Sequence, residues 1–239
     1  RVYEPVREAL DRVTHRLRGL RRDQPPFLSQ LLDHVLENTG KRVRPAVTLL
    51  ASGFHPNDGR NAETMASAVE ILHVATLIHD DTVDASDLRR GKVTVSTRYG
   101  TAKALLLGDY LLATAASFAC ETENLRVIRR FSELAAELAS GELHELSESY
   151  TSRQTREKYL KRIYRKTASL FSAAAEAGGV LSGAPEHTVK HLREYGYNLG
   201  MAFQIVDDIL DFDATTEEIG KPVGNDLAHG VVTLPAIIA

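Results

Sequence analysis

The chain of 239 residues predicts an all-α fold, a single-domain bundle of long antiparallel helices around a central apolar cavity. Apolar residues recur at helical spacing through nearly every segment, and alternation of the strand type is confined to one short run, KVTVSTRY. Two of the helical runs end in the same acidic pattern: Asp80-Asp81-Thr82-Val83-Asp84 and Asp207-Asp208-Ile209-Leu210-Asp211. If those helices pack antiparallel to their neighbours, both acidic ends open at one mouth of the bundle.

The elements follow in order. VYEPVREALDRVTHRLRGL is amphipathic, and Pro25-Pro26 closes the region after it. PFLSQLLDHVLENTG reads as a short helix that Gly40 can cap. A long helix begins at Asn61-Ala62-Glu63-Thr64 and runs through Met65, Val69, Leu72 and Thr76 into the first aspartate cluster. ASDLRRGKVTVSTRYG is polar, holds two glycines and reads as a loop. Helices are expected at roughly 98–120, 124–147, 154–180 and 186–213, separated by polar or glycine-containing breaks. No repeat other than the two clusters and no low-complexity linker divides residues 1–239, so one domain is expected.

Composition narrows the function. Hydrophobic residues make up 43% of the chain and prolines number only 8, which leaves ample material for a core. No apolar run reaches the roughly 18–20 residues of a membrane span. No charged-then-apolar start resembles a signal peptide. A cytoplasmic protein is therefore expected. The single Cys120 excludes an intrachain disulfide, and its apolar surroundings predict a small core residue. A net charge of −3, without a basic stripe interleaved with aromatics, excludes nucleic acid as a partner.

Each cluster holds carboxylates at i, i+1 and i+4, and i and i+4 share a helix face about 6 Å apart along the axis. One such group on a solvated face is ordinary, because water screens it. Here the flanks are Ile78 and Val83 in one case and Ile205, Val206, Ile209, Leu210 and Phe212 in the other. These imply largely buried helices, where carboxylates need counter-charges or metals. Mg²⁺ suits such a site: it takes one or two carboxylates and fills its other positions with waters and phosphate oxygens. Two clusters can clamp a diphosphate from both sides. A polar mouth over an apolar shaft suits a substrate with an ionic head and a hydrocarbon tail.

Several cations complete the pattern. Gly40-Lys41-Arg42-Val43-Arg44-Pro45 puts three at a helix junction, Arg89-Arg90 follows the first cluster, Lys166-Thr167 lies in RIYRKTASLF, and Lys221 follows the second cluster. Each alone reads as a solvated charge. Together they supply the arginine forks, point-charge lysines and hydroxyl that a diphosphate demands.

The ordered series GKRVRP, EILHVATLIHDDTVDASDLRRGK, GDYLLA, GEL, YRKTASLF, GMAFQIVDDILDF and GKPVGNDL with TLP strongly resembles the all-trans isoprenyl (polyprenyl) diphosphate synthases from about residue 35 onward. The bacterial medium- and long-chain enzymes are the nearest in character. The resemblance implies the isoprenoid synthase fold and a Mg²⁺-dependent prenyltransferase. Such an enzyme ionises an allylic diphosphate, joins the cation to isopentenyl diphosphate and releases a linear all-trans product. It further implies Asp80, Asp84 and Asp207 as direct Mg²⁺ ligands, with three ions per active site, and Asp81, Asp208 and Asp211 as their supports. Arg89, Lys166 and Lys221 would hold the allylic diphosphate, and Lys41, Arg44, His73 and Arg90 a metal-free pocket for isopentenyl diphosphate. Thr167 and Gln204 would lie near the reacting carbons.

His73 lies two helical turns before Asp80 on nearly the same face. A histidine there would otherwise read as a hydrogen-bonded core residue, and the resemblance makes it a diphosphate ligand. His79 reads as a packing or capping residue. Ala75 and Thr76, five and four positions before Asp80, lie about 6–8 Å below the metal site. Both are small where short-chain relatives often place an aromatic, so they are expected to set product length. The expected product is longer than farnesyl, with a geranylgeranyl or farnesyl diphosphate synthase as the alternative. A homodimer through the helices around 98–147 is also implied.

Two departures stand out. Val231 replaces a lysine common just before TLP, which leaves one cation of the allylic site absent or replaced. The family also continues through further helices beyond TLPAIIA, so the domain is expected to lack its C-terminal helices. A class I terpene cyclase would carry a different second acidic motif and lack Lys41, Arg44 and Arg90. A non-catalytic subunit of a heteromeric synthase would have lost one cluster, and this chain keeps both.

Overall fold

The computed structural model describes residues 2–37, 40–148, 154–213 and 230–238. Among them the chain is helical apart from one small hairpin. A 3₁₀ turn, Glu4–Val6, leads into α1 (Arg7–Gly19), which buries Leu10, Val13 and Leu17 along one stripe. Pro26 is the first helical residue of α2 (Pro26–Leu36), where its missing N–H costs nothing. α3 spans Val43–Ser52 and α4 Arg60–Val83. The hairpin pairs β1 (Leu88–Arg89) with β2 (Lys92–Val93), and α5 (Val95–Tyr99) follows it. α6 (Thr101–Glu121), α7 (Leu125–Glu148) and α8 (Arg156–Ile163) come next. A π turn, Tyr164–Ala168, continues α8 directly into α9 (Ser169–Leu181). α10 (Glu186–Asp213) and α11 (Leu234–Ile238) complete the described chain.

α4 and α9 are buried almost all round and form the centre. α3 and α6 pack on α4, and α3, α7 and α10 pack on α9. Each expected helix is present within a few residues. The single helix read over 154–180 is α8, the π turn and α9 end to end.

Several local expectations fail. α2 ends at Leu36, so Gly40 does not cap it. The region read as a loop contains the hairpin and α5, because Thr94 stops the strand and its hydroxyl accepts from the Thr97 N–H at 3.3 Å. Of KVTVSTRY only Lys92–Val93 is strand. Cys120 is exposed, since it lies on the side of α6 that faces away from α4.

The flanks of the aspartate clusters are also less buried than expected. Ile78 is buried, but Val83, Val206, Ile209, Leu210 and Phe212 are exposed, because no described element covers that side of either helix end. Finally, α6 is long and apolar enough by length and composition alone to cross a membrane, against the expectation of no such run. In this fold it buries Ala104, Leu107, Leu111, Ala115 and Phe118 as a core helix.

Candidate active site

Asp80 and Asp81 sit in the last turn of α4, and Asp84 is its C-cap residue, with its N–H bonded to the Asp80 carbonyl at 2.8 Å. Asp81 is buried and takes Arg89 through Nε at 2.8 Å and Nη2 at 2.6 Å. The hairpin makes this possible. Its two-residue turn, Arg90-Gly91, has φ of +53° and +75°, as a type I′ turn requires, and returns Arg89 to the helix it has just left. Burial pushes the Asp81 carboxyl up, and Arg89 offsets this only in part.

Asp80 is pushed up to about 7 by burial and by Glu142, against the pull of Lys166 and Arg89. Lys166 belongs to the π turn, and its Nζ donates to Glu145 at 2.6 Å and lies 3.4 Å from Glu142. Burial opposes its charge, but Glu145 and Glu142 hold it above the ordinary lysine range. The next residue, Thr167, points the other way and donates to Gln204 Oε1 at 2.6 Å. Gln204 Nε2 in turn donates to Asp208 Oδ1 at 2.8 Å, and the Tyr159 hydroxyl donates to Asp208 Oδ2 at 2.7 Å. Asp208 and Asp211 are buried, whereas Asp207 is exposed.

Consecutive residues of one π turn thus reach toward both aspartate clusters. Two glycines admit the close packing. A Cβ on Gly141 would lie 2.9 Å from Arg165 Cβ, and one on Gly200 would lie 2.5 Å from Ala168 Cα. α7 and α10 therefore approach the turn from two sides. A π turn of this kind is a frequent device at functional sites.

Beside the first cluster lies a cavity of about 470 Å³, lined by Lys41, Arg44, His73, Asp81, Arg89 and Arg90, with buried Arg42 and Glu70 also in its wall. Phe203 of α10 lines it too, so both acidic helices border one space. Arg44 donates to His73 Nε2 at 3.0 Å and lies over the Phe171 ring at 4.8 Å. Burial draws the Arg44 guanidinium down to about 10. His73 falls well below the ordinary histidine range, first through burial and then through Arg44, Arg90 and Arg89, so it accepts from Arg44 as a neutral ring. Gly40 leaves the space that the Arg90 guanidinium fills.

The structure therefore gathers Lys41, Arg44, His73, Arg89 and Arg90 around one cavity. At the π turn it sets Lys166 near Asp80 and bonds Thr167 through Gln204 to Asp208. Lys221 lies outside the described residues. His79 packs over Gly108 and contacts the Leu105 carbonyl at 3.3 Å, a helix-packing role. Ala75 is buried in the core and is not on the wall of the 470 Å³ cavity, and Thr76 donates to the His73 carbonyl at 2.9 Å. Glu142, Glu145, Tyr159 and Glu70 escaped the sequence reading. Of these, Glu142 lay in the GEL segment and Glu70 opened EILHVATLIHDD, whereas Tyr159 and Glu145 lay in none of the recognised segments.

Among the described residues, no three carboxylate, histidine or cysteine groups converge on one point as a closed metal cage. The donors are instead oxygen-only and split between two helices, and burial and Glu142 raise Asp80 against Lys166 and Arg89. Such a set fits a hard divalent ion that completes its shell with phosphate oxygens and waters.

A family model described as polyprenyl synthetase matches residues 25–239. A prenyl transferase of Synechocystis sp. is 41% identical over 241 residues, covering 100% of this chain and 75% of that protein. Heptaprenyl diphosphate synthase component 2 of Bacillus subtilis is 38% identical, covering 99% of this chain and 68% of that protein. The crystal structure of polyprenyl synthase from Caulobacter crescentus, complexed with calcium and isoprenyl diphosphate, superposes with a TM-score of 0.93 at 37% identity. That match covers 99% of this chain and 72% of the other.

Proposed function

The chain belongs to the polyprenyl synthetase family and is a trans-prenyltransferase of the polyprenyl diphosphate synthase type. From that premise we propose that it condenses an allylic diphosphate with isopentenyl diphosphate to give a linear all-trans polyprenyl diphosphate longer than farnesyl. The observation that carries this reading is the π turn, whose Lys166 and Thr167 reach toward the two aspartate clusters beside a cation-lined cavity that Asp81 and Arg89 border.

The allylic C–O bond breaks, and the diphosphate leaves with the electron pair. Arg89, Lys166 and Lys221 hold its oxygens where the charge develops. The double bond of isopentenyl diphosphate then forms the new C–C bond, and a proton is lost to the departed diphosphate. Lys41, Arg44, His73 and Arg90 keep isopentenyl diphosphate in the metal-free cavity. The Thr167 oxygen and the Gln204 carbonyl, fixed by the chain of bonds to Asp208, turn their dipoles toward the cation. The polyprenyl synthetase family is typically dependent on divalent metal. Asp80, Asp84 and Asp207 would hold Mg²⁺, three ions per site, with Asp81, Asp208 and Asp211 in support. Bound there, the metal neutralises the leaving diphosphate.

The test is incubation of the protein with isopentenyl diphosphate, an allylic starter and Mg²⁺. Linear products are expected; cyclic hydrocarbons or no turnover would overturn the reading. Product length rests on Ala75 and Thr76. A folded, active Ala75→Phe enzyme is expected to give shorter products by chromatography, and an unchanged distribution would remove Ala75 from the tunnel. We also propose that residues 1–239 act as one domain, in a cytoplasmic homodimer joined through α6 and α7. Exposed Leu105, Leu106, Leu143 and Leu146 on those helices support this arrangement.

A further inference from the structure

We infer that Arg42 is a fourth cation of the isopentenyl diphosphate pocket, a direct ligand of the diphosphate held ready by backbone strain and by Glu70. This rests on the reading of the 470 Å³ cavity given above. Arg42 lines that cavity and is only 9% exposed, yet Nη1 and Nη2 have no hydrogen-bond partner among the described residues. A buried guanidinium normally satisfies its five donors, and leaving them unmade is costly. Among the described residues its ion contact is loose: Nη1 lies 3.8 Å from Glu70, beyond hydrogen-bond reach.

The backbone gives a second, independent sign. Arg42 is the N-cap residue of α3 and has φ +47° and ψ +43°, a left-handed conformation that side-chain-bearing residues rarely adopt. Its side chain makes no capping bond to explain that conformation. Strain of this kind persists at ligand clamps, where the surroundings over-determine it. Here the turn places consecutive Lys41 and Arg42, together with Arg44, on the same cavity.

Glu70 suits a holding role. It is buried, and the charges of Arg42, Arg44 and Arg90 all act on it, so one carboxylate stands against several cations in this wall. A diphosphate entering the cavity meets donors that the resting protein leaves open. Arg42 then exchanges a loose contact for charge-assisted hydrogen bonds, at no loss of existing ones.

The test is binding of isopentenyl diphosphate by calorimetry, without divalent metal, to the wild type and to Arg42→Gly, Arg42→Lys and Lys41→Ala. Arg42→Gly relieves the left-handed strain and removes the unpaired donors, so its Tm is expected to equal or exceed that of the wild type. Its affinity is expected to fall about 10- to 100-fold, with Arg42→Lys intermediate. In turnover, the KM for isopentenyl diphosphate should rise while that for the allylic substrate holds. A lowered Tm with unchanged affinity for Arg42→Gly would make Arg42 structural and overturn the proposal. If Lys41→Ala weakens binding and both Arg42 variants do not, the proposal falls while the pocket stands. If none of the three weakens binding, the assignment of the pocket falls with it.

Discussion

At the end of α4, Asp81 is buried and paired with Arg89 from a hairpin only eight residues away. At the end of α10, Asp208 is buried and paired with Tyr159 from α8 and, through Gln204, with Thr167 of the π turn. The first pairing is an ion pair made by local chain reversal; the second is a neutral-donor network made by packing three helical segments. In both, the middle aspartate is tied down by protein donors. The leading ones, Asp80 and Asp207, make no side-chain hydrogen bond among the described residues. One spelling, DDxxD, therefore divides into a holding residue and an offered residue, and the same division arises twice by different means. The surroundings differ as well. Asp80 is hemmed in by Glu142, Lys166 and Arg89, whereas Asp207 lies open beside exposed Val206 and Leu210.

The largest expected effect tests whether the offered residues are equivalent. Asp80→Ala and Asp207→Ala should each lower turnover by at least about 10²–10³-fold, measured as incorporation of labelled isopentenyl diphosphate, with the helical circular dichroism retained. A near-wild-type rate in either would break the symmetry of the two clusters. Next, Lys41→Ala or Arg44→Ala should raise the KM for isopentenyl diphosphate about tenfold or more, whereas Arg89→Ala should act on the allylic substrate. A single pattern for all three in steady-state kinetics would merge the two anion sites.

The holding residues should differ in stability. Tyr159→Phe strips one of two donors from buried Asp208 and is expected to cost about 1–3 kcal/mol in denaturant unfolding. Arg89→Met removes a partly exposed partner and should cost less than about 1 kcal/mol. Equal losses would erase the distinction drawn between packed network and local ion pair.

The smallest effect concerns protons. Asp80 is pushed up to about 7 in the fold, so it binds its proton more tightly there than in the unfolded chain. Its contribution is fully present below about pH 4 and is lost as the pH rises toward 7. The Tm of metal-free protein should therefore decline across that window, and Asp80→Asn should flatten the decline. A slope unchanged by the substitution would assign it to other groups.

Helical periodicity made the bundle legible, since a 3.6-residue repeat with few prolines leaves little other choice. The aspartate spacing and the order of the basic motifs also pointed to most of the residues that the fold gathers at the candidate site. What stayed hidden had no local code. Tyr159 sits 49 positions from Asp208, and Glu145 sits 21 from Lys166, so nothing in either stretch announces its partner. The exposure of Val206, Ile209, Leu210 and Phe212 was hidden for the same reason: an apolar residue states what it could bury, not whether another element arrives to cover it.

By itself, then, the sequence determined the helices, the two carboxylate sets and the cations they would need. Those follow from residue type and short-range spacing, which the backbone expresses within a turn or two. Only the tertiary structure decided which aspartate of each set is held and which is offered, and that Lys166 rests on Glu142 and Glu145. It also decided that Arg42 is buried with open donors. Burial and pairing belong to the surroundings of a group, and those surroundings come from residues far away in the chain.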